Sequence, residues 1–257
     1  MEADHLQEDH VMLTEQTLHI AYDDVGNGAP AIVFLHGLFG NRTHYQAQVS
    51  HLSGRHRVLN IDLRGHGESA IPEKGYSLDI LADDVVRVCE QVGLSHAVLC
   101  GHSMPVVLKV ALKRPSLTAG LVLLDGVVLL PPPVRERQGQ LAQALQTGGW
   151  REALLGFFPG VAGRAAERVR ADISAMPRYY AEPLMRDIAS SDSAAELAAL
   201  SCPLMYVHSH IPADLDRLRQ VDPDAIIEEI PDAGHWPMLT VPDQVNALLD
   251  RFLQVIS

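Results

Sequence analysis

The sequence predicts an α/β fold, a mostly parallel twisted sheet of about eight strands flanked by helices, and three observations predict it. Short apolar, β-branched runs alternate with longer segments of helical period, as strands joined by crossover helices require. Several runs are apolar throughout, the mark of strands covered on both faces. The alternation stops after Asp125 and resumes near residue 201, so a helical lid insertion over residues 126–200 is expected to interrupt a core of residues 1–125 and 201–257.

The strand-like runs are Thr17 to Tyr22, Ala31 to Leu35, Val58 to Ile61, Ala97 to Cys100, Gly120 to Leu124, Leu204 to Val207 and Ala225 to Ile230. Between them, Tyr76-Ser77 marks a helix start: Ser77 can cap the first free amides while Tyr76 packs back on Leu81. Further helices are expected over Thr43 to Leu52, Met104 to Arg114 and Pro242 to Ile256, the last with its proline in the first turn. Residues 126–200 hold Pro131-Pro132-Pro133, amphipathic pieces and several aromatics, with no convincing strand and no internal repeat.

A formal charge of −12 argues against a nucleic-acid partner, since phosphate binding needs clustered Lys and Arg that the 20 cations here never form. No run reaches the roughly 20 apolar residues of a membrane span, and the acidic, polar Met1 to His10 lacks the blocks of a signal peptide, so a cytoplasmic location is expected. Cys89, Cys100 and Cys202 are odd in number and set in apolar surroundings, which predicts buried free thiols. His208 and His210 fall on one side of a strand, but no Asp, Glu or Cys stands at ligand spacing, so neither a metal nor a cofactor is expected. The expected partner is a small-molecule substrate, and the sequence carries no signal of oligomeric state.

Chemistry concentrates in Ala97-Val98-Leu99-Cys100-Gly101-His102-Ser103-Met104-Pro105-Val106-Val107, where an apolar strand runs into a helix with a serine at the corner. A hydroxyl held there is exposed on a tight turn beside helix N-terminal amides that stabilise negative charge. Three more segments follow strands in order: His36-Gly37-Leu38-Phe39-Gly40, Asp62-Leu63-Arg64-Gly65-His66-Gly67-Glu68-Ser69 and Gly234-His235-Trp236.

With these four ordered motifs the chain resembles the α/β-hydrolase superfamily over nearly its whole length. The resemblance implies the α/β-hydrolase fold, Ser103 as nucleophile, His235 as base, and an oxyanion hole from the main-chain amides of Leu38 and Met104. One departure is Pro105, which replaces the last glycine of the family's Gly-x-Ser-x-Gly elbow. A proline is tolerated there because the first-turn amide hydrogen has no intrahelical partner. His36 and His102 are expected to brace the active-site turns, and the Asp62 to Ser69 turn to form a structural knot.

The acid that orients His235 has two candidates. In most members it follows the seventh strand, but here Ser209 and Pro212 stand where the usual glycine and aspartate would, and Asp214 comes two residues late. Asp125 ends the preceding strand, a location some branches of the family use, and is the favoured acid, with Asp214 the alternative.

The expected reaction is hydrolysis of a small or medium, apolar ester, lactone or thioester through a Ser-His-Asp triad and an acyl-enzyme. Trp150, Phe157, Phe158, Tyr179 and Tyr180, beside Met176 and Met185, suggest an apolar lid surface, and the substrate pocket is expected to include His36, Phe39, His102, Trp150, Phe157 and Trp236. Two alternatives share the scaffold. One is a non-hydrolytic enzyme, a cofactor-independent dioxygenase of hydroxyquinolone type or a carbon–carbon hydrolase or lyase. The other is a catalytically silent binding protein.

Overall fold

Every residue of Ala31–Leu35 is buried, as are those of Val58–Ile61, Ala97–His102 and Thr118–Leu124, so these apolar runs form the centre of one sheet. The structure, a computed structural model, describes residues 18–146, 150–157 and 163–256. Its strands are β1 (Tyr22–Val25), β2 (Ala31–Leu35), β3 (Val58–Ile61), β4 (Ala97–His102), β5 (Thr118–Leu124), β6 (Leu204–His208) and β7 (Ile226–Glu229). They lie in the order β1-β3-β2-β4-β5-β6-β7, with β1 antiparallel to β3 and every other pair parallel.

Seven strands are thus present among the described residues, against about eight expected. The first differs most from expectation. Thr17 lies outside the described residues, and the strand begins at Tyr22, where the predicted one ended. His19 and Ala21 leave the ladder because their carbonyls accept from Ala70 and Asp62 and the Ala21 amide donates to Ser69 Oγ. Charged Asp23 and Asp24 then sit on a sheet edge, where Arg42 and Arg57 reach them.

The helices among the described residues are α1 (Gln46–Leu52), α2 (Leu78–Gln91), α3 (Val106–Lys113), α4 (Pro132–Ala144), α5 (Trp150–Phe157), α6 (Gly163–Ala175), α7 (Arg178–Ser190), α8 (Ala194–Ala198), α9 (Leu215–Val221), α10 (Pro237–Thr240) and α11 (Pro242–Ile256). Ser77 caps α2 by accepting from the Ile80 amide, and Leu78, Leu81, Ala82, Val85, Val88 and Cys89 recur at helical spacing to bury one face. Each large side chain in that stripe contributes roughly 1.5–3 kcal/mol of apolar burial, so a charge at Val85 would undock the helix. The segment expected as one helix from Thr43 opens as a 3-10 turn, Arg42–Tyr45, before α1. Similarly, α3 begins at Val106 and not Met104, because Ser103, Met104 and Pro105 form the turn ahead of it.

Between β5 and β6 the described residues hold α4 to α8 and no strand. Polar contacts tie this excursion to the sheet domain. Asp172 of α6 accepts from His44 Nε2 at 2.8 Å and Asn41 Nδ2 at 3.3 Å, and Asp187 of α7 accepts from the Leu78 amide at 2.7 Å. Asp62 closes the predicted knot: its carboxylate accepts from the Arg42 and Glu68 amides, while Ser69 Oγ donates to its carbonyl at 2.6 Å.

Candidate active site

The carboxyl ends of β4 and β5 carry Ser103 and Asp125, both in the left-handed region with φ of 61° and 46°. L-residues rarely adopt that conformation, and here hydrogen bonds across the sheet hold it. The Ser103 amide donates to the Leu124 carbonyl at 3.0 Å, the Val127 amide donates to the Ser103 carbonyl at 2.7 Å, and the Asp125 amide donates to the Val207 carbonyl at 2.7 Å. Gly101 allows the turn, since a Cβ there would lie 2.6 Å from a Val107 methyl.

From the loop after β7, His235 reaches both residues. Its Nε2 lies 3.0 Å from Ser103 Oγ and its Nδ1 2.6 Å from Asp125 Oδ2. A carboxylate only accepts, so Nδ1 carries the proton and Nε2 is left to accept from the serine hydroxyl. All three are buried; Ser103 is 8% exposed, and Asp125 is fully enclosed.

Asp125 is clasped on its other side by the loop after β6. Its Oδ1 accepts from the amides of Ser209 and His210 at 2.8 Å and of Ile211 at 3.1 Å. Burial pushes the carboxyl up, yet the bond and charge of His235 and the amides of His210 and Ser209 outweigh it and hold the group below its ordinary value. Asp214, the other candidate, caps α9 by accepting from the Arg217 amide at 3.0 Å, and His235 Nδ1 bonds Asp125 instead.

The loop after β2 packs on the serine: a Cβ at Gly37 would stand 3.1 Å from Ser103 Cβ. Its His36 accepts from the Leu63 amide through Nε2 at 3.0 Å, so Nδ1 carries hydrogen and donates to the Gly37 carbonyl at 2.8 Å. The Gly40 amide donates to the same carbonyl at 3.0 Å. Pinning that oxygen turns the Leu38 N–H of the same trans peptide to the opposite side. Burial holds the His36 imidazole well below its ordinary value, consistent with a neutral brace.

The other expected pocket residues are placed differently from one another. Phe39 is buried and lines a cavity of about 190 Å³ with Gly40, His66, Met176, Pro177 and Tyr180, where the excursion meets the sheet domain. Trp236 packs edge-on against the His235 ring at 4.9 Å, and Trp150 is buried in α5. His36 and His102 direct their hydrogen bonds to main chain. The Phe157 side chain and Phe158 lie outside the described residues. The Tyr180 ring lies tilted against that of His66 at 5.0 Å, whereas Tyr179 is half exposed.

Sequence reasoning missed the amide clasp of residues 209–211 and the hydroxyl of Ser209, which donates to the Gly234 carbonyl at 2.7 Å. The available signal was a strand-end loop in which serine stood at the position expected of glycine. Among the described residues no group of three or more His, Cys, Asp or Glu is placed to hold a metal ion. Burial pushes the thiols of Cys89 and Cys202 up to about 12 and about 11, away from nucleophilic use.

Comparison with known proteins agrees with this architecture. A family profile described as "Alpha/beta hydrolase family" matches residues 32–248. The chain is 30% identical to the sn-1-specific diacylglycerol lipase of Mus musculus over 87% of its own length and 81% of that protein. It is 25% identical to the 2-(acetamidomethylene)succinate hydrolase of Mesorhizobium japonicum over 98% of its length and 96% of that enzyme. Among solved structures, a thermophilic esterase from Thermogutta terrifontis superposes with a TM-score of 0.78 at 27% identity, over 93% of this chain and 94% of the other.

Proposed function

The chain belongs to the alpha/beta hydrolase family, and from that premise we propose that it hydrolyses a small or medium apolar ester, lactone or thioester through Ser103, His235 and Asp125. The observation that carries this reading is the continuous pair of hydrogen bonds, 3.0 Å from Ser103 Oγ to His235 Nε2 and 2.6 Å from His235 Nδ1 to Asp125 Oδ2. A serine hydroxyl is a weak nucleophile until a base takes its proton, and that geometry has the proton's destination already in place.

Oγ attacks the carbonyl carbon as its proton passes to Nε2, and the imidazolium so formed is stabilised by the ionised Asp125. Negative charge then develops on the carbonyl oxygen, facing the N–H groups of Leu38 and Met104. Removal of one such donor in other enzymes costs about 3 to 4 kcal/mol. Collapse expels the leaving alcohol or thiol, which takes the proton from Nε2. Water attacks the acyl-enzyme with His235 again as base, releasing the acid and restoring the serine.

The helical excursion of residues 126–200 acts as the lid. Phe39, Met176, Pro177 and Tyr180 line the cavity at its seam beside Asn41, His66 and Asp172, and their apolar surface suits a neutral acyl or alcohol portion. The lipase and esterase activities named for the relatives agree with an acyl substrate.

One observation favours a second reading. Asp125 follows β5, and the loop after β6 supplies amides to it and no carboxylate to His235, an arrangement similar to dioxygenases in which histidine is the base and serine forms no acyl-enzyme. A fluorophosphonate probe and 4-nitrophenyl butyrate separate the two. Labelling of Ser103 with turnover lost in Ser103→Ala is expected; turnover of a heteroaromatic substrate with oxygen uptake, surviving Ser103→Ala, would overturn hydrolysis.

A further inference from the structure

His235 is carried on a loop, and three consecutive carbonyls of that loop are each held by a side-chain donor from a different element. Thr240 Oγ1 of α10 donates to Ala233 O at 2.7 Å, Ser209 Oγ from the loop after β6 donates to Gly234 O at 2.7 Å, and His102 Nε2 of β4 donates to His235 O at 2.5 Å. Two of these donors are built into the other halves of the site. His102 immediately precedes Ser103, and the Ser209 amide itself binds Asp125.

The His102 ring is fixed from both edges. A carbonyl accepts only, so Nε2 carries the hydrogen and Nδ1 is bare. That Nδ1 is buried with no hydrogen-bond partner among the described residues, and it lies where a Cβ on Gly37 would come within 2.6 Å. The imidazole therefore spans the space between the oxyanion loop and the base loop, its ring 4.6 Å from that of His235. A buried acceptor without a partner is costly, which sets the donor on the opposite edge as the reason for a histidine at this position. Burial holds the group well below its ordinary value, so it stays neutral and keeps this hydrogen-bond direction.

We infer that His102 and Ser209 are positioning residues that register the backbone of His235 against Ser103 and Asp125, so that nucleophile, base and acid are set by one shared clamp. The inference rests on the serine-hydrolase reading above. It also explains the β6 loop, whose amides hold the acid while its hydroxyl holds the base.

The test uses the full chain with 4-nitrophenyl butyrate and fluorophosphonate labelling, comparing His102→Leu, His102→Gln, Ser209→Ala and Ser209→Thr with wild type and Ser103→Ala. A misplacement of about 1 Å costs about a hundredfold in rate. The expected result is a fall in kcat of about a hundredfold for His102→Leu and about tenfold for Ser209→Ala, with KM within about twofold. The Gln and Thr variants, which keep a donor, should recover most of the loss. Ser209 is half-buried, so its alanine variant reads the effect even where His102→Leu folds poorly. If Ser103→Ala is inactive while folded His102→Leu and Ser209→Ala keep wild-type kcat, the positioning role is overturned and the hydrolase reading stands. Full turnover by Ser103→Ala would instead remove the reading beneath it.

Discussion

Replacing Asp125 by Asn separates charge from shape at the centre of the site, and the hydrogen bonds dictate the outcome. Oδ1 accepts from three amides, those of Ser209, His210 and Ile211, so the carboxamide oxygen must take that position. Its NH₂ is then turned to the place of Oδ2, 2.6 Å from His235 Nδ1. Two donors cannot face each other, so the imidazole shifts its hydrogen to Nε2 and Ser103 loses its acceptor. The same replacement in another serine enzyme lowers kcat about ten-thousandfold, equivalent to about 5.5 kcal/mol of barrier. The Ser209 and His210 amides keep their acceptor and the Ile211 amide loses only its share on Oδ2, so stability should fall by roughly one charge-assisted bond, about 1.5–3 kcal/mol. Initial rates on 4-nitrophenyl butyrate, with thermal melts on the same preparations, measure both quantities. A folded Asp125→Asn enzyme that retains more than about a tenth of wild-type kcat would refute the assignment of the acid and the tautomer argument together.

Other outcomes follow from the same geometry. Asp214→Asn should leave turnover and melting unchanged, since Asn caps a helix as well as Asp, while Asp214→Ala should cost about 1 kcal/mol of stability alone; loss of turnover in the Asn variant would move the acid there. Gly37→Ala places a Cβ 2.6 Å from His102 Nδ1 and 3.1 Å from Ser103 Cβ, so kcat should drop along with about 1–3 kcal/mol of stability, and an unchanged kcat would show that the loop yields freely. Asp125 is held below its ordinary value, so the stability its ionised form contributes is complete above about pH 4 and is lost as pH falls through the lower folded value. The melting temperatures of wild type and Asp125→Asn should therefore converge on acidification, and a gap that stayed constant down to about pH 2 would contradict the depressed value.

How much was legible depended on whether side-chain chemistry or main-chain geometry carried the information. The central strands were readable because burial on both faces demands uninterrupted apolar residues, as in Ala31–Leu35 and Thr118–Leu124. β1 was misplaced because its residues are Tyr22, Asp23, Asp24 and Val25, which look like a loop until Arg42 and Arg57 are brought beside them. Ser103 and His235, the proposed nucleophile and base, were singled out from strand-end motifs, and the structure brings their side chains together. The choice between Asp125 and Asp214 turned on which strand end faced the imidazole; His235 bonds Asp125, and the clasp that holds that carboxylate uses the amides of residues 209–211, whose direction no side-chain identity encodes. Ser209 was noticed only as the wrong residue for an acid-bearing loop; its bond to Gly234 needs two distant segments in contact.

The left-handed backbone at Ser103 and Asp125 has a consequence for any attempt to make this protein more robust. Glycine adopts that conformation without the penalty of about 1–3 kcal/mol that a side chain incurs. A search for heat-resistant variants would thus be drawn toward glycine at position 103, where the gain in durability and the loss of the hydroxyl proposed as nucleophile arrive in a single change. Screens on this scaffold should score turnover alongside melting, because here the two objectives pull one codon in opposite directions.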